Sequence, residues 1–240
     1  MGIDIHILGT SSARPTGSRQ VSGSVVICDD GIAVVDAGEG FQSRFAIQRK
    51  RMKEFEKSSI KVSRVDVLCL THGHLDHTWG VLPWLHTLAL DNRKKPLLII
   101  GPTSPEIMDC LLTNSPLPDE MSNSDLILQW RSWHQLGGTS EQLGYPVRWV
   151  LGDVESDRWI EILPDEGSFI ELHKMPQPEG WSHNSIKPLS TQHNVPSCGW
   201  QFLAKGKKGK FNRLKAAELR LNESQKAGLA RGEDQTLEDG

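Results

Sequence analysis

Isoleucines at 3, 5 and 7 alternate with Asp4 and His6, a period of two that predicts a first strand running into Gly9, with His6 on its solvent side. Residues 24–28 and 32–35 are β-branched runs separated by Asp29-Asp30-Gly31, and the Asp-Gly pair predicts a hairpin turn between them. The period then lengthens. Over 42–57 the apolar residues Phe41, Phe45, Met52 and Phe55 fall at helical spacing, so one face of a helix is expected to be buried while its Arg and Lys residues solvate the other. Residues 65–70, Val-Asp-Val-Leu-Cys-Leu, form the short apolar run expected of a strand covered on both faces. A second helical pattern covers 77–90, with Leu82, Leu85 and Leu88 on one stripe and Pro83 marking the start of its regular part. Residues 97–100 read as a buried strand, Gly101-Pro102 as a turn, and Ser104-Pro105-Glu106 as a capped helix start. Leu126, Trp130 and Trp133 fit one more helix, and 148–151, 158–163, 168–175, 186–191 and 199–204 fit strands. Strands alternating with helices along 240 residues predict an α/β fold, and the length suits one domain with a sizeable core.

The polar residues after the run at 65–70 differ from those of an ordinary loop. Thr71-His72-Gly73-His74-Leu75-Asp76-His77 places three imidazoles and a carboxylate at the C-terminal end of a strand, where open α/β sheets carry their chemistry. His72 and His74 are two apart in extended backbone and can converge on one ion, while Asp76 and His77 turn toward another. Imidazole with one carboxylate favours zinc, and manganese is the alternative where oxygen ligands and water complete the shell. The competing reading is a polar loop with surface histidines; a helix-borne His-Glu-x-x-His site lacks its Glu here. Asp36, ahead of Gly38 and Gly40, is either a hydrogen-bond partner of this loop or a turn cap. The small residues at 10–17 make either a backbone cradle for an anion or a bare turn. His86 reads as a structural helix residue, and Trp130, Trp133, Trp149 and Trp159 as packing residues rather than base-stacking ones. His134, His173 and His183 have no partner motif nearby.

The quartet resembles the His-x-His-x-Asp-His signature of the metallo-β-lactamase superfamily. Three further stretches, Leu8-Gly9-Thr10-Ser11-Ser12-Ala13-Arg14-Pro15-Thr16, Val35-Asp36-Ala37-Gly38-Glu39-Gly40-Phe41-Gln42 and His193-Asn194-Val195-Pro196-Ser197-Cys198-Gly199-Trp200, resemble the ribonuclease Z family of tRNA 3′-processing endonucleases. The resemblance runs in order along nearly the whole chain and is weakest between Thr103 and Trp181. It implies a metallo-β-lactamase-type αβ/βα sandwich, two mixed sheets packed face to face with helices outside. It also adds His193 as a fifth ligand, so that His72, His74 and His193 would hold one zinc and Asp76 and His77 the other. Two such ions could neutralise charge on a scissile phosphate, with Asp76 as the catalytic residue that orients the attacking water and takes its proton. The implied reaction is removal of 3′ trailers from pre-tRNA by a cytoplasmic homodimer.

Charge and composition refine this picture. A net charge of −3 does not by itself point to nucleic acid, but Lys205-Gly206-Lys207-Lys208-Gly209-Lys210-Phe211 is locally basic. Lys205, Lys207, Lys208 and Lys210 are the candidate RNA-binding residues, and the resemblance makes about 205–231 an arm that grips tRNA away from the cut. The family's Gly-Pro element after this helix is missing from Leu221-Asn222-Glu223-Ser224-Gln225-Lys226. Four scattered cysteines fit a reducing cytoplasm, and neither a bilayer-spanning run nor a signal peptide is expected. The family continues beyond Leu237-Glu238-Asp239-Gly240 into a segment with a bridging Asp, a catalytic His and a last metal-binding His. The expectation is therefore a sandwich with its second half incomplete and a 240-residue chain of little activity. Two alternatives stand beside the endoribonuclease: a metal-dependent hydrolase of small phosphodiesters or other esters, and an inactive RNA-binding remnant.

Overall fold

The computed structural model describes residues 2–56, 59–163, 168–206 and 211–236. The chain divides into two compact units, Met1–Ala204 and Lys205–Gly240. In the first, eight strands lie side by side in chain order: β1 (Asp4–Gly9), β2 (Gly23–Ile27), β3 (Ile32–Ala37), β4 (Val65–Cys69), β5 (Leu97–Pro102), β6 (Val147–Asp153), β7 (Arg158–Leu163) and β8 (Ser168–Leu172). The central strands β3 to β6 are parallel, and the strands on either side are antiparallel. Parallel neighbours need crossovers, and helices supply them: α1 (Phe41–Phe55) joins β3 to β4, α2 (Leu75–Thr78) and α3 (Val81–Leu90) join β4 to β5, and α4 (Pro105–Leu112), α5 (Leu126–Gln135) and α6 (Ser140–Leu143) join β5 to β6. A second sheet is the antiparallel pair β9 (Asn184–Ser190) and β10 (Cys198–Ala204).

The near-continuous apolar runs of β4 and β5 follow from burial on both faces. Leu97 and Ile99 point into a core built with Phe41, Phe45, Trp84, Leu85, Leu88 and Met108 from the helices, and Leu98 and Ile100 point into a second cluster with Ile186, Trp200 and Phe202 of the small sheet. The Asp29-Asp30-Gly31 turn does more than close a hairpin. Asp30 Oδ2 accepts the backbone N–H groups of Ser182, His183 and Asn184 at 2.9, 2.7 and 2.7 Å, which anchors β9 to the large sheet. Burial pushes this carboxyl up, but the three N–H donors outweigh it and hold it at about 2.

Three sequence expectations change. The alternation at the N-terminus predicts the strand and assigns its faces the wrong way round: Ile5 and Ile7 are 62% and 66% exposed, while Leu8 packs on the helix-side core and His6 Nδ1 lies 3.1 Å from Gln48 Nε2 of α1. The pairing explains this, because His6 sits beside Val25 of the helix-side core and Ile5 beside Val26 on the other face. Phe55 is 76% exposed. At 3.6 residues per turn Phe55 falls about 40° from Phe41, but it is the last residue of α1, beyond Met52, the last buried position of the helix. Gly101-Pro102 continues β5 instead of turning, paired with Leu151 and Gly152 of β6.

The second unit holds α7 (Arg213–Glu218) and α8 (Glu223–Arg231), the latter opened by a capping box between Asn222 and Gln225. It takes in the basic stretch expected at about 205–231. Lys205 is described and exposed, and Lys207, Lys208 and Lys210 lie outside the described residues. Among the described residues no helix is long and apolar enough to cross a membrane.

Candidate metal centre

Strand β4 ends in a loop whose backbone is held from three sides. Leu70 N–H donates to Ile100 of β5 at 2.8 Å, Cys198 N–H of β10 donates to the Thr71 carbonyl at 2.8 Å, and Trp200 Nε1 donates to the Leu70 carbonyl at 3.1 Å. Gly73 then passes under α5, where Gln129 Nε2 donates to its carbonyl. A Cβ at Gly73 would stand 1.7 Å from the Ser124 carbonyl oxygen, so only glycine fits between His72 and His74. Gly38 is constrained likewise, since a Cβ there would meet the Asp76 carbonyl oxygen at 2.0 Å.

His72, His74 and His193 each offer a ring nitrogen within 4.8 Å of the others, although His193 is remote in sequence. The small sheet brings it there, because the 191–197 loop is closed by Thr191 Oγ1 and Ser197 Oγ at 2.8 Å and Ser197 bridges directly to His72. Ring centroids of His193 stand 4.8 and 4.9 Å from those of His72 and His74. His72 is buried, His74 half-buried and His193 exposed, so the cluster opens to solvent on the His193 side.

Asp36 organises the rest. It is 2% exposed and held at φ 56°, a left-handed conformation rare outside glycine and tolerated by Asp. Its carboxylate accepts from Ser22 Oγ at 2.9 Å, Thr71 N–H at 2.8 Å, the Thr71 hydroxyl at 2.9 Å and His77 Nδ1 at 2.6 Å. The Thr71 hydroxyl proton is thereby committed to Asp36, so its oxygen accepts from His72 Nδ1 at 3.0 Å. Both rings thus carry a proton on Nδ1, and neutral His72 presents a bare Nε2 to the centre, as ligands oriented by hydrogen bonds do. Burial, then the His77 charge, lowers the His72 pKa to about 4, which keeps it neutral at physiological pH. For His77 burial acts downward, but the bond to Asp36 and the charges of Asp36 and Asp76 together raise its pKa above the ordinary value.

These donors suit zinc. Tetrahedral zinc bonded to imidazole at about 2.0–2.1 Å sets neighbouring nitrogens about 3.3 Å apart. His72 Nε2 and His74 Nδ1 stand 3.1 Å apart. With its proton on Nδ1, His72 has only a lone pair on that side, which a cation between the rings would satisfy. Asp76 Oδ2 lies 3.6 Å from His77 Nε2, so the two groups expected to form a second set are adjacent.

All five expected ligands thus sit on one rim of the sheet, three converging on one point and two beside it. Asp36 proves to be a hydrogen-bond partner of the loop. Sequence reading passed over Thr71, Ser22 and Gln129; Thr71 abuts the quartet and had that signal, whereas Gln129 sits in an unremarkable helix. At 10–17, the Thr10 and Ser11 N–H groups are taken by the Gln20 carbonyl at 2.9 and 2.8 Å, which favours the bare turn.

Residues 16–99 match the Metallo-beta-lactamase superfamily. Over 221 residues the chain is 35% identical to a ribonuclease Z of Clostridium tetani, an alignment covering 91% of this chain and 56% of that protein. It is 26% identical over 234 residues to the zinc phosphodiesterase ELAC protein 1 of Bos taurus, covering 91% and 57%. The chain therefore spans a little over half the length of these relatives. A crystal structure of the short form of human tRNase Z superposes with a TM-score of 0.46 at 22% identity, over 85% of this chain and 66% of that one. Residues 16–99 thus match the metallo-β-lactamase superfamily, and along nine-tenths of its length the chain resembles ribonuclease Z.

Proposed function

We propose that the chain serves a zinc-dependent phosphodiesterase, an endoribonuclease that removes 3′ trailers from pre-tRNA. The supporting observation is the convergence of His72, His74 and His193 next to the Asp76–His77 pair. His72, His74 and His193 would hold one ion, and Asp76 and His77 a second. Zinc held by these residues would supply a Lewis acid for the phosphate oxygens and would acidify water. Thr71 and Asp36 fix the ligand tautomers before substrate arrives, so little reorganisation is left for the reaction step. Asp76, half-buried beside His77, orients the attacking water and accepts its proton. One relative is named a ribonuclease and the other a zinc phosphodiesterase, which favours an RNA phosphodiester as substrate. Cytoplasmic residence and a homodimer belong to the same reading, as do contacts from Lys205, Lys207, Lys208 and Lys210 to the RNA backbone.

The lysines give the test of substrate class. Changing all four to Gln should weaken pre-tRNA binding and flatten the log–log salt dependence by up to about 3.6, since each phosphate contact contributes roughly 0.7–0.9 to that slope. Turnover of a chromogenic phosphodiester by the same variant should be little changed. Equal losses on both substrates would assign this stretch a structural role, and a chain that cleaves the small ester but never pre-tRNA would be a small-ester hydrolase.

A further inference from the structure

Between α1 and α3 runs a groove of about 870 Å³ whose walls carry Arg49, Lys50, Lys53 and Lys61 against a single acid, Asp91. We propose that this groove holds the phosphate backbone of a single-stranded RNA segment adjoining the cut, an inference that rests on the endoribonuclease reading. The whole chain carries a net charge of −3, so four cations against one acid are a local concentration opposed to the overall balance. The helical period builds it. At 3.6 residues per turn Gln42, Ala46, Arg49, Lys50 and Lys53 fall within about 100° of arc, and α1 has no acid in that arc. Arg49 Nη1 lies 3.8 Å from Asp91 Oδ2, and Gln42 Nε2 donates to the Thr87 hydroxyl, two links that tie α1 to α3. Lys50, Lys53 and Lys61 are exposed and make no side-chain hydrogen bond or ion pair among the described residues. Three such ammonium groups along about 17 Å, the rise of α1 from Gln42 to Lys53, fit a run of phosphates. The floor of the groove argues against a protein partner. Phe45, Trp84 and Leu88 are 4%, 1% and 0% exposed, so none of these large side chains is left to anchor one, whereas protein interfaces bury aromatic or aliphatic anchors and are poor in lysine. A second copy docking groove to groove would set like charges opposite each other. The start of α1 at Phe41 lies three residues after Gly38, which rests against the Asp76 backbone, so the Gln42 end of the groove adjoins the metal-centre loop.

The test measures binding of a fluorescein-labelled single-stranded RNA decanucleotide to the zinc-loaded full chain across a salt series. Changing Lys50, Lys53 and Lys61 together to Gln should weaken binding about tenfold or more and flatten the log–log salt dependence by about 2, since each single-strand phosphate contact contributes roughly 0.7. Zinc content, melting temperature and turnover of a chromogenic phosphodiester should be unchanged. A control variant loses three exposed cations outside the groove, Arg51→Gln with Lys174→Gln and Lys187→Gln, and should keep the wild-type slope. An unchanged slope in the groove variant, or an equal loss in the control, would overturn the proposal. So would a wild-type dimer that the groove variant converts to monomer with RNA affinity kept, which would make the groove an interface between copies. Lysine-dependent binding of polyglutamate tighter than that of the RNA would also overturn it and assign the groove to an acidic protein segment. If the wild-type chain binds no RNA at all, the endoribonuclease reading falls as well, an outcome distinct from RNA binding that ignores these lysines.

Discussion

Changing His193 to Ala is expected to lower zinc affinity by on the order of 100-fold or more, since even a residue that only orients a ligand is worth roughly 10–100-fold. Turnover of any phosphodiester should fall below detection. The size of the effect follows from the geometry. His72 and His74 come from one loop, and His193 is the third side chain that turns two adjacent imidazoles into a closed set. Two ligands leave an ion mostly hydrated, whereas three with a water give the open tetrahedral arrangement of a catalytic zinc. The fold should survive, because His193 is exposed and its loop is closed by Thr191 and Ser197 instead. Zinc titration in the presence of a competing chelator measures the affinity, and a melting curve of the metal-free variant checks the fold.

The second large effect is expected at Asp36. Asp36→Asn keeps the side-chain shape, and Asn accepts the left-handed backbone at φ 56° as readily as Asp, so the main chain is not strained. What changes is the hydrogen-bond arithmetic. Four donors from Ser22, Thr71 and His77 converge on the carboxylate, and an amide replaces one acceptor oxygen with a donor. At least one buried donor then meets another donor, which costs about 1–3 kcal/mol of stability. The His77 ring also loses the negative charge that holds its proton on Nδ1. Activity should drop about 10- to 100-fold as the Asp76–His77 set loosens, while zinc bound by His72, His74 and His193 should be retained. The retained zinc separates an orienting role from general unfolding. An NMR spectrum of ring-labelled histidine, reporting the His77 tautomer, would show Nδ1–H in the parent and a mixed population in the variant.

How much of this could be read from residues alone depended on how local each signal is. The quartet is local, and its place at the end of β4 follows from the mostly apolar run at 65–70 before it. The Asp-Gly hairpin, the Ser104 cap of α4 and the α5 stripe are likewise short-range patterns, and each appears where expected. His193 is different. A single histidine after a strand carries no information about its partner; the family resemblance singles it out, and the bridge between Ser197 and His72 brings it beside the quartet. The faces of β1 were misassigned because a period of two identifies a strand without saying which side meets the core. That choice was made by the register with β2. Asp30 shows the same limit, since no local pattern reveals that a hairpin aspartate gathers three N–H groups from residues about 150 positions away.

The most direct test of the metal centre is X-ray absorption at the zinc edge on the chain loaded with one equivalent of metal. The geometry predicts a first shell of nitrogen and oxygen with three imidazole rings at about 2.0–2.1 Å, falling to two in His193→Ala. A shell containing sulfur, or an imidazole count that His193→Ala leaves unchanged, would contradict the assignment of His72, His74 and His193 as one zinc site.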